Sequence, residues 1–170
     1  MSLRESYFSG SFYPDKMSDI VNYIEQFDNM HKIKIEKNIR AMIVPHAGYV
    51  YSGFSANLVL SQLAHIKPKR VIVIGPSHKV AFSGATVSLQ ESYETPFGKL
   101  NIDVEYAKDI YNKFGLTFNE SVHKEHSTEV QMPFIKYYSP TSKIIEIIYS
   151  SIVPSELSAL ITYLILLSRI

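Results

Sequence analysis

The sequence of 170 residues contains no cysteine, and this absence removes every structural device that needs a thiol. The fold cannot depend on disulfides or on thiolate metal sites, which fits a reducing compartment. Tryptophan is absent too, so the 12 tyrosines and 9 phenylalanines must supply the large aromatic side chains. We therefore expect tyrosine and phenylalanine to form much of the core and to line any site.

The sequence also lacks an excess of either charge. Its 17 lysines and arginines stand against 16 acidic residues, a net charge of +1, which argues against a nucleic-acid or polybasic membrane surface. The most apolar segment, 157–167, is shorter than the about 20 residues that span a bilayer, and we predict a buried helix there. The opening MSLRESYFSG lacks the apolar core of a secretory signal. We expect a cytoplasmic protein that contacts neither nucleic acid nor membrane.

Residues 1–170 are expected to form one α/β domain around a single core. Near-continuous apolar runs predict strands buried on both faces at 39–45 and 71–75, with a further strand at 143–149. One or two more strands are predicted around a turn at 95–98. Since the first two predicted strands flank a predicted helix, they form a right-handed βαβ unit, and we predict a mainly parallel sheet with helices on both faces.

Apolar residues at helical spacing predict the helices. The first begins near Ser18 with Ser18 or Asp15 as its N-cap, and a lysine-rich connector at 31–38 follows it. Another runs from the N-cap Asp103 to the stop at Gly115. The helix beyond Thr128 must begin late or kink, because Pro133 is tolerated only in a first turn. The last predicted helix follows Pro154.

Two histidines follow apolar runs in the same way. His46 ends one predicted strand and His78 ends the next, so both are expected at the carboxyl edge of the sheet, where open parallel sheets bind ligands. Taken singly, each histidine is better explained by backbone capping or by partial burial of its ring. Taken together they form a candidate metal site, because imidazole suits iron, copper, zinc and nickel.

The polar stretch 123–129 offers the remaining chemistry. Two neutral imidazoles leave the charge of a divalent ion uncompensated, and this stretch holds two carboxylates, Glu125 and Glu129. For Glu129 the favoured interpretation is a polar helix start, in which Thr128 and Gln131 form a capping box. His126 is a candidate metal ligand or catalytic general base. The third ligand is left open, and His31 and His65 are expected on the surface.

Pocket walls are predicted from the turns beside the two histidines. Gly48 and Gly53 either permit an unusual turn or allow a substrate to approach, with Tyr49 and Tyr51 lining the pocket. Ser77, beside His78, and Glu125 are further candidate pocket residues. In the enzyme interpretation, Phe97 joins the two tyrosines in excluding water.

Five motifs in order resemble the Memo family, whose prokaryotic members are called AmmeMemoRadiSam system protein B. They are GSFYP at 10–14, VPHAGYVYSG at 44–53, VIGPSHKV at 73–80, YETPFGKLNID at 93–103 and EHSTEVQMPF at 125–134. The resemblance covers essentially the whole chain, although members are usually longer. It implies a fold like that of LigB-type extradiol dioxygenases, which hold non-haem iron with two histidines and a carboxylate.

By this resemblance His46 and His78 are metal-binding histidines. The family's remaining ligand, a cysteine in the eukaryotic member, and a Ser-Asp-x-x-His motif come from a C-terminal part that we expect to be missing here. The eukaryotic member is associated with signalling downstream of a receptor tyrosine kinase, with phosphotyrosine-peptide binding, and with redox chemistry at iron or copper. The family name also implies a link with a radical-SAM protein.

Two functions follow as hypotheses. The first is an oxidoreductase that uses iron, or else copper or zinc, with open coordination positions for an oxygen-donor substrate. The second is a binding protein that uses the same pocket for a phosphopeptide, another small anionic ligand or metal buffering. A homo-oligomer is also expected if the last helix pairs with another chain, although a missing C-terminal region would cover that helix equally well.

Overall fold

The computed structural model describes residues 2–31 and 38–167, so most of the predicted connector at 31–38 lies outside the described residues. Within these ranges the strands are β1 (Leu3–Arg4), β2 (Arg70–Pro76), β3 (Ala85–Val87), β4 (Ser92–Tyr93), β5 (Leu100–Asn101) and β6 (Lys143–Tyr149). The α-helices are α1 (Met17–Met30), α2 (Phe54–Leu60), α3 (Leu63–Ile66), α4 (Val104–Phe114), α5 (His126–Glu129), α6 (Met132–Tyr138) and α7 (Pro154–Leu167). A π-helical turn, Tyr49–Gly53, leads into α2.

The strands form two small mixed sheets, in the orders β1-β4-β5 and β2-β6-β3. Strands β2 and β6 are parallel, with Arg70 opposite Lys143 and Pro76 opposite Tyr149, whereas β3 runs antiparallel to β6. In the other sheet, β4 pairs in parallel with β1 and antiparallel with β5. The α/β prediction is confirmed, but the prediction of a mainly parallel sheet is wrong. The turn at 95–98 gives one reason, because it reverses the chain between β4 and β5.

The segment 39–45 is the main departure from the sequence prediction. It forms no strand in the described part of the chain, and Ile43 is 95% exposed. The predicted βαβ unit is therefore wrong. An apolar run indicates a tendency to be buried, but it does not supply the neighbouring strand that would bury it.

Strand β6 separates the two apolar clusters of the core. Ile145 and Ile147 pack on one face of the strand with side chains of β3, α4 and α7. Ile144 belongs to the other cluster, which contains side chains of α1, α2 and α6. Because side chains alternate along a strand, Glu146 lies on the same face as Ile144, and its side chain is fully buried.

The helices occur largely where the apolar spacing predicts them, but their ends differ. Lys16 occupies the N-cap position of α1 without a side-chain hydrogen bond, so the predicted caps Ser18 and Asp15 are wrong. Gly115, with a φ of 59°, ends α4 as predicted. Pro133 lies in the first turn of α6, which confirms that this helix begins late.

Helix α7 is less buried than its composition predicts. Of its side chains that the structure describes, Leu160 and Leu164 are buried, while Leu166 is 52% exposed. The prediction of a buried helix is therefore wrong for most of its surface. Among the described residues, no helix combines the length and the apolar character needed to cross a membrane.

Candidate functional site

Three histidines from distant parts of the sequence lie side by side. The ring centres are 5.2 Å apart for His46 and His78, 5.9 Å for His46 and His126, and 4.4 Å for His78 and His126. One nitrogen of each ring can be chosen so that all three lie within 4.8 Å of one another. The structure thus brings together the two predicted metal ligands and adds His126 as a third donor.

His46 is placed by a loop, although sequence analysis predicts the end of a strand. The Gln131 side chain donates a hydrogen bond of 2.8 Å to the carbonyl of Pro45, and the Tyr49 backbone N–H donates one of 2.8 Å to Phe12. A Cβ atom at Gly48 would lie only 3.2 Å from the Phe12 carbonyl oxygen. The glycine therefore lets the loop pass close to the N-terminal segment.

His78 lies just beyond the end of β2. The backbone N–H of Ser77 continues the sheet by donating to the Tyr149 carbonyl at 2.8 Å, and the Ser77 hydroxyl donates to the Val80 carbonyl at 2.7 Å. These bonds close a tight turn around His78. Ser77 therefore acts locally on the backbone, and its hydroxyl is already engaged.

His126 is the first residue of α5. Glu125 is its N-cap, because the carboxylate accepts a hydrogen bond of 3.1 Å from the backbone N–H of Ser127. The predicted capping box of Thr128 and Gln131 is wrong, since the Thr128 hydroxyl donates to Glu146 and Gln131 holds the His46 loop. Helix α5 therefore begins at the residue whose ring lies beside the other two histidines.

Helix α5 can approach β2 closely because residue 75 is glycine. A Cβ atom there would lie 2.5 Å from the Ser127 hydroxyl oxygen and 2.9 Å from the Thr128 methyl carbon. These distances are too short for real contacts, so a side chain at position 75 would force Ser127 and Thr128 of α5 to shift. Gly75 is a site-forming residue that sequence analysis missed, although the Gly-Pro pair before Ser77 marks the position.

We expect Gly75→Ala to lower the free energy of unfolding by about 1–3 kcal/mol, the usual cost of overpacking, and to disturb the histidine cluster. Gly98→Ala is the control, because Gly98 has a φ of 97° but open space around it. Both variants should lose stability in urea unfolding, but only Gly75→Ala should shift the imidazole signals of His78 and His126 in NMR spectra. Unchanged signals in Gly75→Ala would contradict this account of the close approach.

The environment of His46 and that of His126 favour the neutral imidazole. Partial burial and the neighbouring His78 ring lower the pKa of His46 below its ordinary value. Burial also lowers the pKa of His126, although the nearby Glu125 acts in the opposite direction. Burial alone would raise the pKa of Glu125, but hydrogen bonds from His78 and Ser127 outweigh it and hold that pKa low. The cluster therefore places imidazole donors, two of them with a lowered pKa, beside one buried carboxylate.

A cleft of about 810 Å³ opens beside His46 and His126. Its wall includes Phe12, Ile43 and Tyr51, and Tyr51 is 88% exposed. Another cleft, of about 540 Å³ between β6 and α7, is lined by no histidine, acidic or basic residue. The chemistry and the open space therefore coincide only at the first of these two clefts.

The predicted aromatic pocket residues have different positions. Tyr51 lies at the cleft, whereas Tyr49 is a core residue that stacks on Phe134 at 4.5 Å and donates a hydrogen bond to the Val130 carbonyl. Phe97 packs against Tyr137 at a ring-centre distance of 5.5 Å. The rings beside His126 belong to Phe8 and Phe12, at 5.5 Å and 4.7 Å. Neither phenylalanine is predicted from the sequence as a site residue, although Phe12 lies in the GSFYP motif.

Glu129 is buried, and the prediction of an ordinary polar helix start is wrong for it. Its carboxylate accepts hydrogen bonds from Arg4, from the Tyr13 hydroxyl at 2.8 Å, and from the backbone N–H groups of Tyr7 and Phe8. Arg4 is itself 1% exposed. This buried network ties the N-terminal segment to α5. No local sequence signal reveals it, because its two charged partners are far apart in the chain.

The donor set fits a transition-metal ion. Three neutral imidazole nitrogens with further positions open to water or substrate are a common arrangement at catalytic zinc, and imidazole also suits copper and iron. Nδ1 of His126 lies 2.8 Å from a carboxylate oxygen of Glu125, so Nε2 is the nitrogen of this ring that would bind the ion.

Comparison with known proteins agrees with the motifs. Residues 4–165 match the model of the Memo family, described as Memo-like protein. A MEMO1 family protein of Caldivirga maquilingensis is 35% identical over 159 residues, which cover 87% of this chain and 56% of that protein. For a MEMO1 family protein of Thermococcus onnurineus the identity is 36% over 138 residues, 79% of this chain and 47% of that protein. The chain spans about half the length of these curated relatives. Because the family match covers nearly all of the sequence, the chain belongs to the Memo family.

Proposed function

We propose that this protein binds one divalent transition-metal ion through His46, His78 and His126. The observation that carries the proposal is the set of three nitrogen donors within 4.8 Å of one another. Nitrogen ligands lie about 2.0–2.1 Å from such an ion, so two of them are at most about 4.2 Å apart. Rotations of the rings that move the nitrogens by less than about 1 Å would therefore complete the site.

For the activity, we propose an oxidoreductase that uses iron(II), with copper or zinc as the other metals that suit this donor set. A bound ion of this kind supplies Lewis acidity and, for iron or copper, electron transfer. The LigB-like fold and dioxygenase-like chemistry remain part of this proposal, supported by the resemblance of the motifs. The protein itself contributes ring placement, partial exclusion of water by Phe8 and Phe12, and the cleft bordered by Tyr51.

We further propose that the ligand is an anionic oxygen donor. Three neutral imidazoles leave the two positive charges of the ion to be balanced by Glu125 and by the ligand. Lys79, next to His78 in the chain, lies 4.3 Å from the Phe8 ring centre and acts electrostatically to lower the pKa of His126. A carboxylate, phenolate or phosphate group would therefore find a cation beside the metal ion.

The position of Lys79 also favours a second candidate function, a binding protein without turnover. The cleft of about 810 Å³ is large enough for an aromatic anion of phosphotyrosine type, and it is bordered by aromatic and aliphatic side chains. In that function the metal ion and Lys79 would bind the anion together. A fold alone does not separate the two functions, because one fold hosts many chemistries.

Equilibrium dialysis against iron(II) without oxygen, and separately against zinc(II), tests the metal proposal. We expect one ion per chain, and the same stoichiometry when the exposed His65 is replaced in the control His65→Gln. Oxygen uptake by iron-loaded protein with a panel of catechols then separates the two functions. Consumption above that of free iron supports the oxidoreductase, and its absence supports the binding protein. A chain that retains no ion at micromolar concentrations would refute the site.

A further inference from the structure

Both carboxylate oxygens of Glu125 are engaged at the histidine cluster. Oε2 accepts a hydrogen bond of 2.7 Å from the backbone N–H of His78. Oε1 lies 3.1 Å from Nδ1 of His78, 3.1 Å from the backbone nitrogen of Ser127, and 2.8 Å from Nδ1 of His126. The residue is 0% exposed. One buried carboxylate therefore contacts two of the three candidate ligand rings.

These contacts exceed what a helix cap needs. Capping requires one oxygen that accepts from a backbone N–H, and serine, threonine, aspartate or asparagine does this at the surface. Glu125 satisfies that requirement through Ser127, and its carboxylate also contacts the backbone N–H of His78 and the imidazole rings of His78 and His126. Its own carbonyl accepts a hydrogen bond of 3.2 Å from the buried Arg4, which fixes the backbone on which the carboxylate stands.

The contact with His78 selects a tautomer. A carboxylate accepts hydrogen bonds only, so in a neutral His78 ring Nδ1 carries the proton and Nε2 keeps its lone pair for a metal ion. For His126, Nδ1 lies 2.8 Å from the carboxylate but outside hydrogen-bonding alignment, and it has no other partner in the described part of the chain. A modest ring rotation would align this pair as well, with the same effect on its tautomer.

We propose that Glu125 is a positioning residue that fixes the tautomer and orientation of His78 and His126 and thereby sets the metal affinity of the cluster. The proposal rests on the metal-binding function proposed above. Carboxylates that accept from the distal N–H of ligand histidines orient the rings and raise their basicity, and their loss typically weakens metal binding by about 10–100-fold. Glu125 would act in this way on the rings of His78 and His126 at once, but not on the ring of His46.

Two variants separate this role from capping. Glu125→Gln keeps the length of the side chain and one capping oxygen but brings an NH2 group towards the His78 ring. Glu125→Asp keeps the charge and is a preferred cap, but it withdraws the carboxylate from both rings by one methylene. The control is Glu105→Gln, an exposed carboxylate in the first turn of α4.

The first readout needs no metal. Nitrogen-15 NMR of metal-free protein at about pH 8 reports which ring nitrogen carries the proton. We expect the Nδ1–H form to dominate for His78 in the parent protein and in Glu105→Gln, and to give way to a mixture in Glu125→Gln and Glu125→Asp. The same tautomer in all four proteins would overturn the proposal, whether or not the chain binds metal.

The second readout is the dissociation constant for zinc(II), measured by competition with a coloured chelator. We expect it to rise by about 10–100-fold in both Glu125 variants and to stay unchanged in Glu105→Gln. A changed tautomer with unchanged affinity would also overturn the proposal. If Glu125→Gln does not fold, Glu125→Asp alone is the test. If Glu125 merely capped α5, Glu125→Asp would bind zinc(II) with the parent affinity, because aspartate is also a preferred N-cap. Failure of the proposed metal function would instead show as no binding by the parent protein.

Discussion

His126→Ala should weaken the binding of zinc(II) or cobalt(II) by about a hundredfold or more. Four-ligand zinc sites bind with apparent free energies of about 10–16 kcal/mol, so one ligand contributes roughly 2.5–4 kcal/mol. The ring centre of His126 lies 4.4 Å from that of His78, closer than the 5.2 Å between His46 and His78. Its loss would leave two nitrogen donors from different parts of the chain. Isothermal titration with each metal ion measures the effect.

The same substitution separates the two roles that the sequence left open for His126. If His126 is a ligand, the affinity falls and His46→Ala and His78→Ala give losses of similar size. If it acts only as a general base, the affinity stays within about threefold of the parent value, and the ligand assignment is refuted. The exposed His65 provides the matched control, because His65→Ala removes an imidazole without touching the cluster.

Arg4→Ala should destabilise the protein by about 3–5 kcal/mol. Arg4 and Glu129 form an ion pair of 2.5 Å between side chains that are 1% and 0% exposed. Removing one partner of such a pair leaves an uncompensated charge in the interior, which costs far more than a surface pair contributes. The guanidinium also lies 4.5 Å from the Tyr93 ring centre, so a cation–π contact is lost as well. Urea unfolding followed by circular dichroism measures the change.

Lys143→Ala is the control for Arg4→Ala. Lys143 also faces a carboxylate, at 3.9 Å from Asp103, but its side chain is 56% exposed. Its removal should cost below about 1 kcal/mol, because solvent screens exposed pairs. Since a small domain has only about 5–15 kcal/mol of stability, the loss in the Arg4 variant would be a large fraction of the total. Equal and small losses in both variants would show that the buried pair does not hold the N-terminal segment to α5.

The buried charges show where prediction from sequence stops. Glu129 lies in a segment for which the sequence predicts a polar helix start. Glu146 interrupts an apolar run for which the sequence predicts a strand. In the structure both carboxylates are buried, and Glu146 meets His123 at 2.7 Å and the Tyr93 hydroxyl at 3.4 Å. Burial alone would raise the pKa of Glu146, but His123 and Arg4 outweigh it and hold that pKa low. Such partners are specified by packing, which local periodicity does not encode.

The segment 39–45 and the His46 loop show that a site residue can lie where it is predicted although its predicted secondary structure is wrong. The sequence predicts a strand that places His46, and the structure has no strand there, yet His46 still lies 5.2 Å from His78. The loop is held by Gln131, the N-cap residue of α6, and by Phe12 from the N-terminal segment, so His46 keeps its position although the predicted strand is absent. The prediction of adjacency was right, although the reason given for it was wrong.

By itself, the sequence determined the kinds and approximate places of most helices and strands, the family, and the pair His46 and His78. These features depend on residues close in the chain, such as the apolar spacing of α1 and α4 and the motifs around the histidines. Only the tertiary structure decided the strand pairing, the third histidine, and the role of Glu125. Those depend on which surfaces pack together: α5 lies on β2 because Gly75 leaves room for it. That contact brings His126 to His78 and sets one carboxylate against both rings.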